Sequence, residues 1–259
     1  MNKQSIRLVM FDLDGTLYRK GEVIFGAVEA IETIREAGYK IAFLTNTDSV
    51  PPEAVKDRLN HMGIKAYQGE VISPPVAVTK WLSKRSEKAS YFMVSEALKP
   101  MFSGFLQDNK EPDHVIIGDL QGKVAYDDLN DAFRMLKKNA ELITMNKGRF
   151  IEKKDGPHLD TGAFVALLEY ASQKEARIMG KPSREYMEAP LDLFGVEPHE
   201  CIMIGDDLAI DIVGAKEIGC GAILVKTGSY DEEALMNAEV KPDEVLDSIA
   251  DLPAFLRSK

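Results

Sequence analysis

Apolar residues fall in short runs near both ends of the chain, separated by polar, turn-rich stretches. The run at 6–11 is almost continuously apolar, as a strand buried on both faces must be. At 27–37, Val28, Ile31 and Ile34 recur at the three-residue spacing of one helical face, and Gly38 stands where a helix would stop. A second apolar run covers 40–44. Pro51 and Pro52 open a helix running to Met62, since a proline in the first turn gives up an N–H that would be unpaired anyway, and Gly63 ends it. A strand at 71–72 and a helix at 76–82 follow. The last third repeats the alternation: strand 177–179, helix 184–194, strand 201–204, helix 209–218 and strand 222–225. Pro190 is expected to kink or shorten the helix that contains it. Strands alternating with helices predict a parallel sheet covered on both faces.

The middle carries a second β/α block, with strands at 91–94, 114–117 and 142–145 and helices at 128–137 and 161–171. Neither junction has a low-complexity linker, so the block reads as an insertion into the first domain. The expected fold class is therefore α/β: a Rossmann-like parallel sheet core, residues 1–86 and 176–259, with an α/β domain inserted at 87–175.

Chemistry gathers at the strand ends. Asp12-Leu13-Asp14-Gly15-Thr16 follows the first strand directly. Residues two apart on extended backbone point the same way, so both carboxylates can face one pocket at the carboxyl end of the sheet, where ligands of open α/β sheets bind. The plainer alternative is a polar loop with Asp14-Gly15 as its turn. Gly205-Asp206-Asp207, with Asp211 four residues on, follows another apolar strand. Crowded carboxylates repel, which favours a hard cation such as Mg²⁺ as their partner. Alternatively, Asp206 or Asp207 caps a helix and Asp211 is a solvated acid of its first turn. Thr45 and Asn46 follow the second strand and Lys181 the strand at 177–179. Taken singly these suit a turn and a surface charge; together they offer anion donors and one fixed cation.

Composition narrows the options. The chain has 259 residues, 45% of them hydrophobic, enough for a sizeable core. With 32 basic against 42 acidic residues, its net charge of −10 opposes sequence-independent nucleic-acid binding. No apolar run approaches the roughly 20 residues of a membrane span, and the amino terminus lacks a signal-peptide core. Two cysteines, Cys201 and Cys220, do not make a disulfide scaffold and read as buried apolar residues. A cytoplasmic protein is expected. His61, His114, His158 and His199 are scattered without metal-ligand spacing, and Trp81 reads as packing.

The order and spacing of the strand-end residues resemble the haloacid dehalogenase superfamily of phosphohydrolases. Asp12 to Thr16 looks like its first motif, Thr45 its second, Lys181 its third, and Gly205-Asp206-Asp207 with Asp211 its fourth. The insertion between the second and third motifs is similar to the α/β cap of the class II phosphatase branch. One departure is Thr47-Asp48, where many members carry Asn-Ser-like residues. The resemblance implies a Mg²⁺-dependent phosphatase acting on small phosphate monoesters. Asp12 would be the nucleophile, forming an aspartyl-phosphate, and Asp14 the general acid and base. Thr45, Asn46 and Lys181 would hold the phosphoryl oxygens. The Asp12 and Asp206 carboxylates and the Asp14 carbonyl would ligate the metal. Asp207 and Asp211 would support these groups, with Asp211 expected against Lys181 or a metal-bound water. The cap segment 147–162 would choose the leaving group, its alternative being an ordinary polar hairpin. A homodimer through the cap also agrees with the resemblance. Cleavage of phosphoramidates or pyrophosphate, a phosphomutase, and an idle regulatory binding protein on the same fold are the competing functions.

Overall fold

The computed structural model describes residues 3–153 and 155–257, without the side chains of Glu152 and Lys153. It divides into two compact units. The first takes the chain up to Thr45, Glu53–Ile72, and everything from Lys181 on; the second takes Asn46–Pro52 and Ser73–Gly180. The expected junctions at 87 and 175 lie inside the second unit, which also holds the helix Pro74–Ser83 and the strand Arg177–Ile178.

The first unit is built on six parallel strands in the order Glu244–Leu246, Gly221–Val225, Cys201–Gly205, Leu8–Asp12, Lys40–Leu44 and Val71–Ile72. Every residue of Leu8–Asp12 is buried, as its central place requires. Its register pairs Phe11 with Ile204 and Asp12 with Leu44, so the carboxyl ends of three strands finish level. The helix Ala27–Glu36 turns Ala27, Ala30, Ile31 and Ile34 inward; Ile31 and Ile34 lie on the face read from the apolar spacing, while Val28 is only half-buried. The helix Arg184–Phe194 keeps its expected length with Pro190 inside it; burial of Tyr186, Met187, Ala189, Pro190 and Leu191 holds this face against the core.

The expected helix at 209–218 is two pieces: a π-helical turn, Leu208–Ile212, and a short α-helix, Val213–Glu217. Asp207 caps the turn, its Oδ1 accepting the Ala209 and Ile210 N–H groups at 2.9 Å each. The N–H of Ile212 then reaches five residues back to the Asp207 carbonyl. This wider turn is capped by one acid expected at the site, Asp207, and contains another, Asp211.

The second unit has its own parallel sheet, ordered Arg177–Ile178, Glu141–Thr144, His114–Ile117 and Ser90–Met93. Its core joins Val115, Ile117 and Leu142 from the sheet to Ala132, Met135, Leu136, Val165 and Leu168 from two helices. The helix Tyr126–Lys138 starts with acids and ends with lysines, complementing its dipole. Within 147–162 the chain forms an antiparallel hairpin of Phe150–Lys153 against Gly156–Leu159; Lys154 lies outside the described residues. Among the described residues no helix is long and apolar enough to cross a membrane.

Candidate functional site

The strand ends of the first unit converge on one buried ammonium. Lys181 Nζ is ion-paired with Asp12 Oδ1, donates to Asp211 Oδ1 at 2.8 Å, and reaches the Leu44 carbonyl at 3.4 Å. Lys181, Asp12 and Asp211 are all buried. The sequence-level expectation that Asp211 lies against Lys181 agrees with this geometry. The alternative of a solvated first-turn acid does not, since Asp211 is 1% exposed. Its second oxygen accepts the Asp207 N–H at 3.2 Å, so the π-turn closes the Asp211 carboxylate onto its own chain.

Asp206 is held from two other directions. Its Oδ1 accepts the Thr16 hydroxyl at 3.2 Å and its Oδ2 the Ser229 N–H at 2.6 Å. Glycines make room for it. A Cβ on Gly15 or on Gly228 would overlap the Asp206 carboxylate, and Gly15 has φ +94°, which side chains rarely adopt. The Thr227 hydroxyl ties the two loops together by donating to the Gly15 carbonyl at 2.6 Å.

One oxygen from each of Asp12, Asp206 and Asp211 lies within 4.8 Å of the other two. Lys181 is paired with two of these three carboxylates, Asp12 and Asp211. Asp12 Oδ2 is buried without a hydrogen-bond partner, which is costly unless a cation or ligand supplies one. The donor set, all hard carboxylate oxygens, suits a divalent ion of the Mg²⁺ kind. Burial pushes the Asp12 carboxyl well above its usual range; Lys181 pulls it down, while Asp211 and Asp206 push it up again. Burial also raises Asp211. Burial alone would lower the Lys181 ammonium, yet Asp12 and Asp211 hold it above the ordinary lysine value.

Asp14 is the most exposed of the expected acids. Partial burial, then repulsion from Asp206, raises its carboxyl, while Arg58 and Arg19 draw it down. Arg58 donates to the Tyr18 hydroxyl at 2.8 Å. Thr45 sits directly beyond the strand that pairs with Asp12 and is itself buried. Asn46 begins the second unit, where a Cβ on Gly180 would stand 2.8 Å from its side-chain oxygen.

Thr16 stands in the first motif, and three further contributors escaped the reading of the sequence. Thr16 and Ser229 hold Asp206, Gly228 makes room for it, and Tyr186 holds Thr45. The Thr227-Gly228-Ser229 stretch at the end of the strand Gly221–Val225 carried a signal, because a small, polar loop at a strand end is where ligands are met. Nothing local marks Tyr186. The histidines stay outside the cluster: His114 is buried edge-on to Trp81 at 4.8 Å, and His61 and His199 are exposed. Cys201 and Cys220 are buried free thiols, and burial raises Cys201.

A second group of acids lies within the second unit. Asp48 is 4% exposed, and its Oδ2 accepts the Thr161 hydroxyl at 2.8 Å. Asp160 accepts the Thr161 N–H at 2.8 Å and the Asn146 amide at 2.9 Å. Burial pushes the Asp48 carboxyl up to about 7; the Thr161 hydrogen bond opposes this, and Asp160 and Asp119 reinforce it.

Comparison with known proteins matches two family models: haloacid dehalogenase-like hydrolase over residues 9–105, and HAD-hydrolase-like over 178–252. Phospholysine phosphohistidine inorganic pyrophosphate phosphatase of Danio rerio is 34% identical over 253 residues, covering 95% of this chain and 93% of that protein. Haloacid dehalogenase-like hydrolase domain-containing protein 2 of Homo sapiens is 34% identical over 235 residues, 90% of each. Among solved structures, 4-nitrophenylphosphatase from Thermotoga maritima superposes with a TM-score of 0.91 at 27% identity, over 98% of this chain and 99% of that one. The family models meet all the strand-end acids and Lys181; the segment 147–162 falls outside both.

Proposed function

The chain belongs to the haloacid dehalogenase-like hydrolases and is a phosphatase, and on that premise we propose that it hydrolyses small phosphate monoesters through an aspartyl-phosphate on Asp12, with Mg²⁺ as its metal. The observation that supports this best is Lys181 paired with both Asp12 and Asp211 while Asp12 Oδ2 remains buried and unpartnered.

The Asp12 and Asp206 carboxylates and the Asp14 carbonyl would hold the metal. When bound, it offsets the repulsion between the Asp12 carboxylate and an anionic phosphate and orients the transferring group. Asp12 attacks phosphorus, and the P–O bond to the leaving group breaks. Asp14 gives its proton to the leaving oxygen, then takes one from the water that cleaves the acyl phosphate. Lys181 holds the Asp12 carboxylate in place and counters the charge that builds on the phosphoryl oxygens. Thr45 and Asn46 supply further donors to those oxygens. Asp211 keeps the ammonium aimed. The segment 147–162 chooses the leaving group.

The name of the Danio rerio relative favours a second reading, in which the leaving group is an amine or a phosphate. The chain's own steps are the same, with Asp14 protonating nitrogen or a phosphate oxygen. The test is phosphate release from p-nitrophenyl phosphate, phospholysine and pyrophosphate, with Mg²⁺ and with a chelator. Mg²⁺-dependent release from p-nitrophenyl phosphate is expected. Release only from the other two would favour the second reading, and none from any would overturn both.

A further inference from the structure

We propose that Tyr186 is a positioning residue for phosphoryl transfer: its phenol sets the main chain of Thr45, and through it the direction of the Thr45 hydroxyl toward the phosphoryl oxygens. This rests on the role of Thr45 in the proposed function.

Tyr186 stands in the first turns of the helix that follows Lys181, and its side chain is fully buried. Its hydroxyl accepts the Thr45 N–H at 3.0 Å. Two carbonyls converge on the same oxygen, Thr45 at 2.8 Å and Ile72 at 2.6 Å. A phenol has one proton, so it serves one carbonyl at a time; the Ile72 carbonyl has a second donor, the Thr45 N–H at 3.2 Å. The place matters. Leu44 pairs with Ile72 at the last rung between their strands, and Thr45 and Ile72 are each the last residue before the chain leaves the first unit. The phenol takes the position of the next rung and ends the ladder with its groups satisfied.

Packing alone does not call for this hydroxyl. A phenylalanine would fill nearly the same volume, and a buried hydroxyl is unfavourable unless its hydrogen bonds are made. Lys181 meanwhile touches the Leu44 carbonyl. Leu44 and Thr45 are thus gripped by Lys181 and Tyr186, both from the same stretch of chain. Misplacing a substrate-holding group by about 1 Å can cost roughly a hundredfold in rate, so fixing Thr45 is a kinetic contribution.

The experiment is a double-mutant cycle on the full chain with p-nitrophenyl phosphate and saturating Mg²⁺. It compares Tyr186→Phe, Thr45→Ala and the pair, reading kcat, KM and inhibition by orthovanadate, with thermal unfolding alongside. Tyr186→Phe is expected to lower kcat roughly 10- to 100-fold and to weaken vanadate in parallel. In the Thr45→Ala background it should cost no more than about twofold further. A kcat near wild type in folded Tyr186→Phe, with Thr45→Ala impaired, overturns the inference alone. Losses that multiply in full overturn it too, since Tyr186 would then not act through Thr45. Thr45→Ala at wild-type turnover would instead remove the role assigned to Thr45, and the inference with it. If Tyr186→Phe does not fold, para-aminophenylalanine at 186, which keeps the ring and a polar para group, enters the same cycle with the same criteria and a smaller expected loss.

Discussion

The molecule buries acids in two places, and it treats them differently. At the strand ends of the first unit, Lys181 opposes the effect of burial on both Asp12 and Asp211, and Asp12 still has an oxygen without a partner. In the second unit, Asp48 faces a hydroxyl and two more acids, and among the described residues no lysine or arginine is paired with it. In the proposed function the first cluster is the one that takes a cation and a substrate. The second is closed by Thr161 and is most stable with Asp48 uncharged. Burial and raised carboxyl groups are common to both; the paired ammonium and the unpartnered oxygen are what separate the first cluster from the second.

The sharpest way to break this contrast is Asp12→Asn. The amide keeps the volume and one acceptor for Lys181 but is a far weaker nucleophile toward phosphorus. Turnover of p-nitrophenyl phosphate should fall by roughly a thousandfold or more, with thermal unfolding within a few degrees of wild type. Activity near wild type would take the nucleophile's role away from Asp12.

Next in size is the difference between Asp206 and Asp211. Asp206 sits in a glycine cradle with its oxygens fixed by Thr16 and Ser229, whereas both oxygens of Asp211 serve Lys181 and the Asp207 N–H. Asp206→Asn should therefore weaken Mg²⁺ affinity severely, read by titrating activity against the metal and by calorimetry. Asp211→Asn should lower kcat by roughly 10- to 100-fold with a smaller change in metal affinity, the usual cost of losing a supporting group. Equal metal affinities in the two variants would erase the distinction.

Much of this floor could be read from the chain because it is local. An apolar strand followed at once by Asp12-Leu13-Asp14-Gly15 places its acids without knowledge of anything distant, and the same holds for Gly205-Asp206-Asp207. The π-turn at Leu208–Ile212 was not legible, since five-residue hydrogen bonding differs from α-helix by one position and leaves no composition mark. Tyr186 was invisible for another reason. Its partners, Thr45 and Ile72, lie 141 and 114 residues away. The helix Pro74–Ser83 shows a related limit: apolar periodicity reports that a helix buries one face, not which sheet lies beneath it.

Exchange of the segment 147–162 should have a moderate effect confined to substrate choice. Replacing Phe150 and Leu159, which are exposed on the hairpin, by serine should reorder activity across a panel of phosphate esters by several-fold while metal affinity stays put. A strong change in Mg²⁺ affinity with the substrate ranking untouched would show that the segment does not choose the leaving group.

The smallest effect on turnover, and the one that reads the second unit alone, belongs to Asp48. Its carboxyl titrates near 7 when folded, against roughly 3.9 in an unfolded chain. Between those values the folded protein holds a proton that the unfolded chain has released. The stability contributed by the neutral carboxyl is therefore fully present below about pH 4 and is lost as pH rises through about 7. Asp48→Asn stays neutral throughout and keeps an oxygen to accept the Thr161 hydroxyl. Its advantage over the wild type should be near zero at pH 4, grow between pH 4 and 7, and level off above that at an order of a few kcal/mol, allowing for the shift of about three pKa units. Urea unfolding of both proteins at pH 5 and pH 8 checks this, with the wild type weakening more at the higher pH. If the two lose stability in parallel, Asp48 is ionised in the folded protein, and the second cluster would need a cation as the first does.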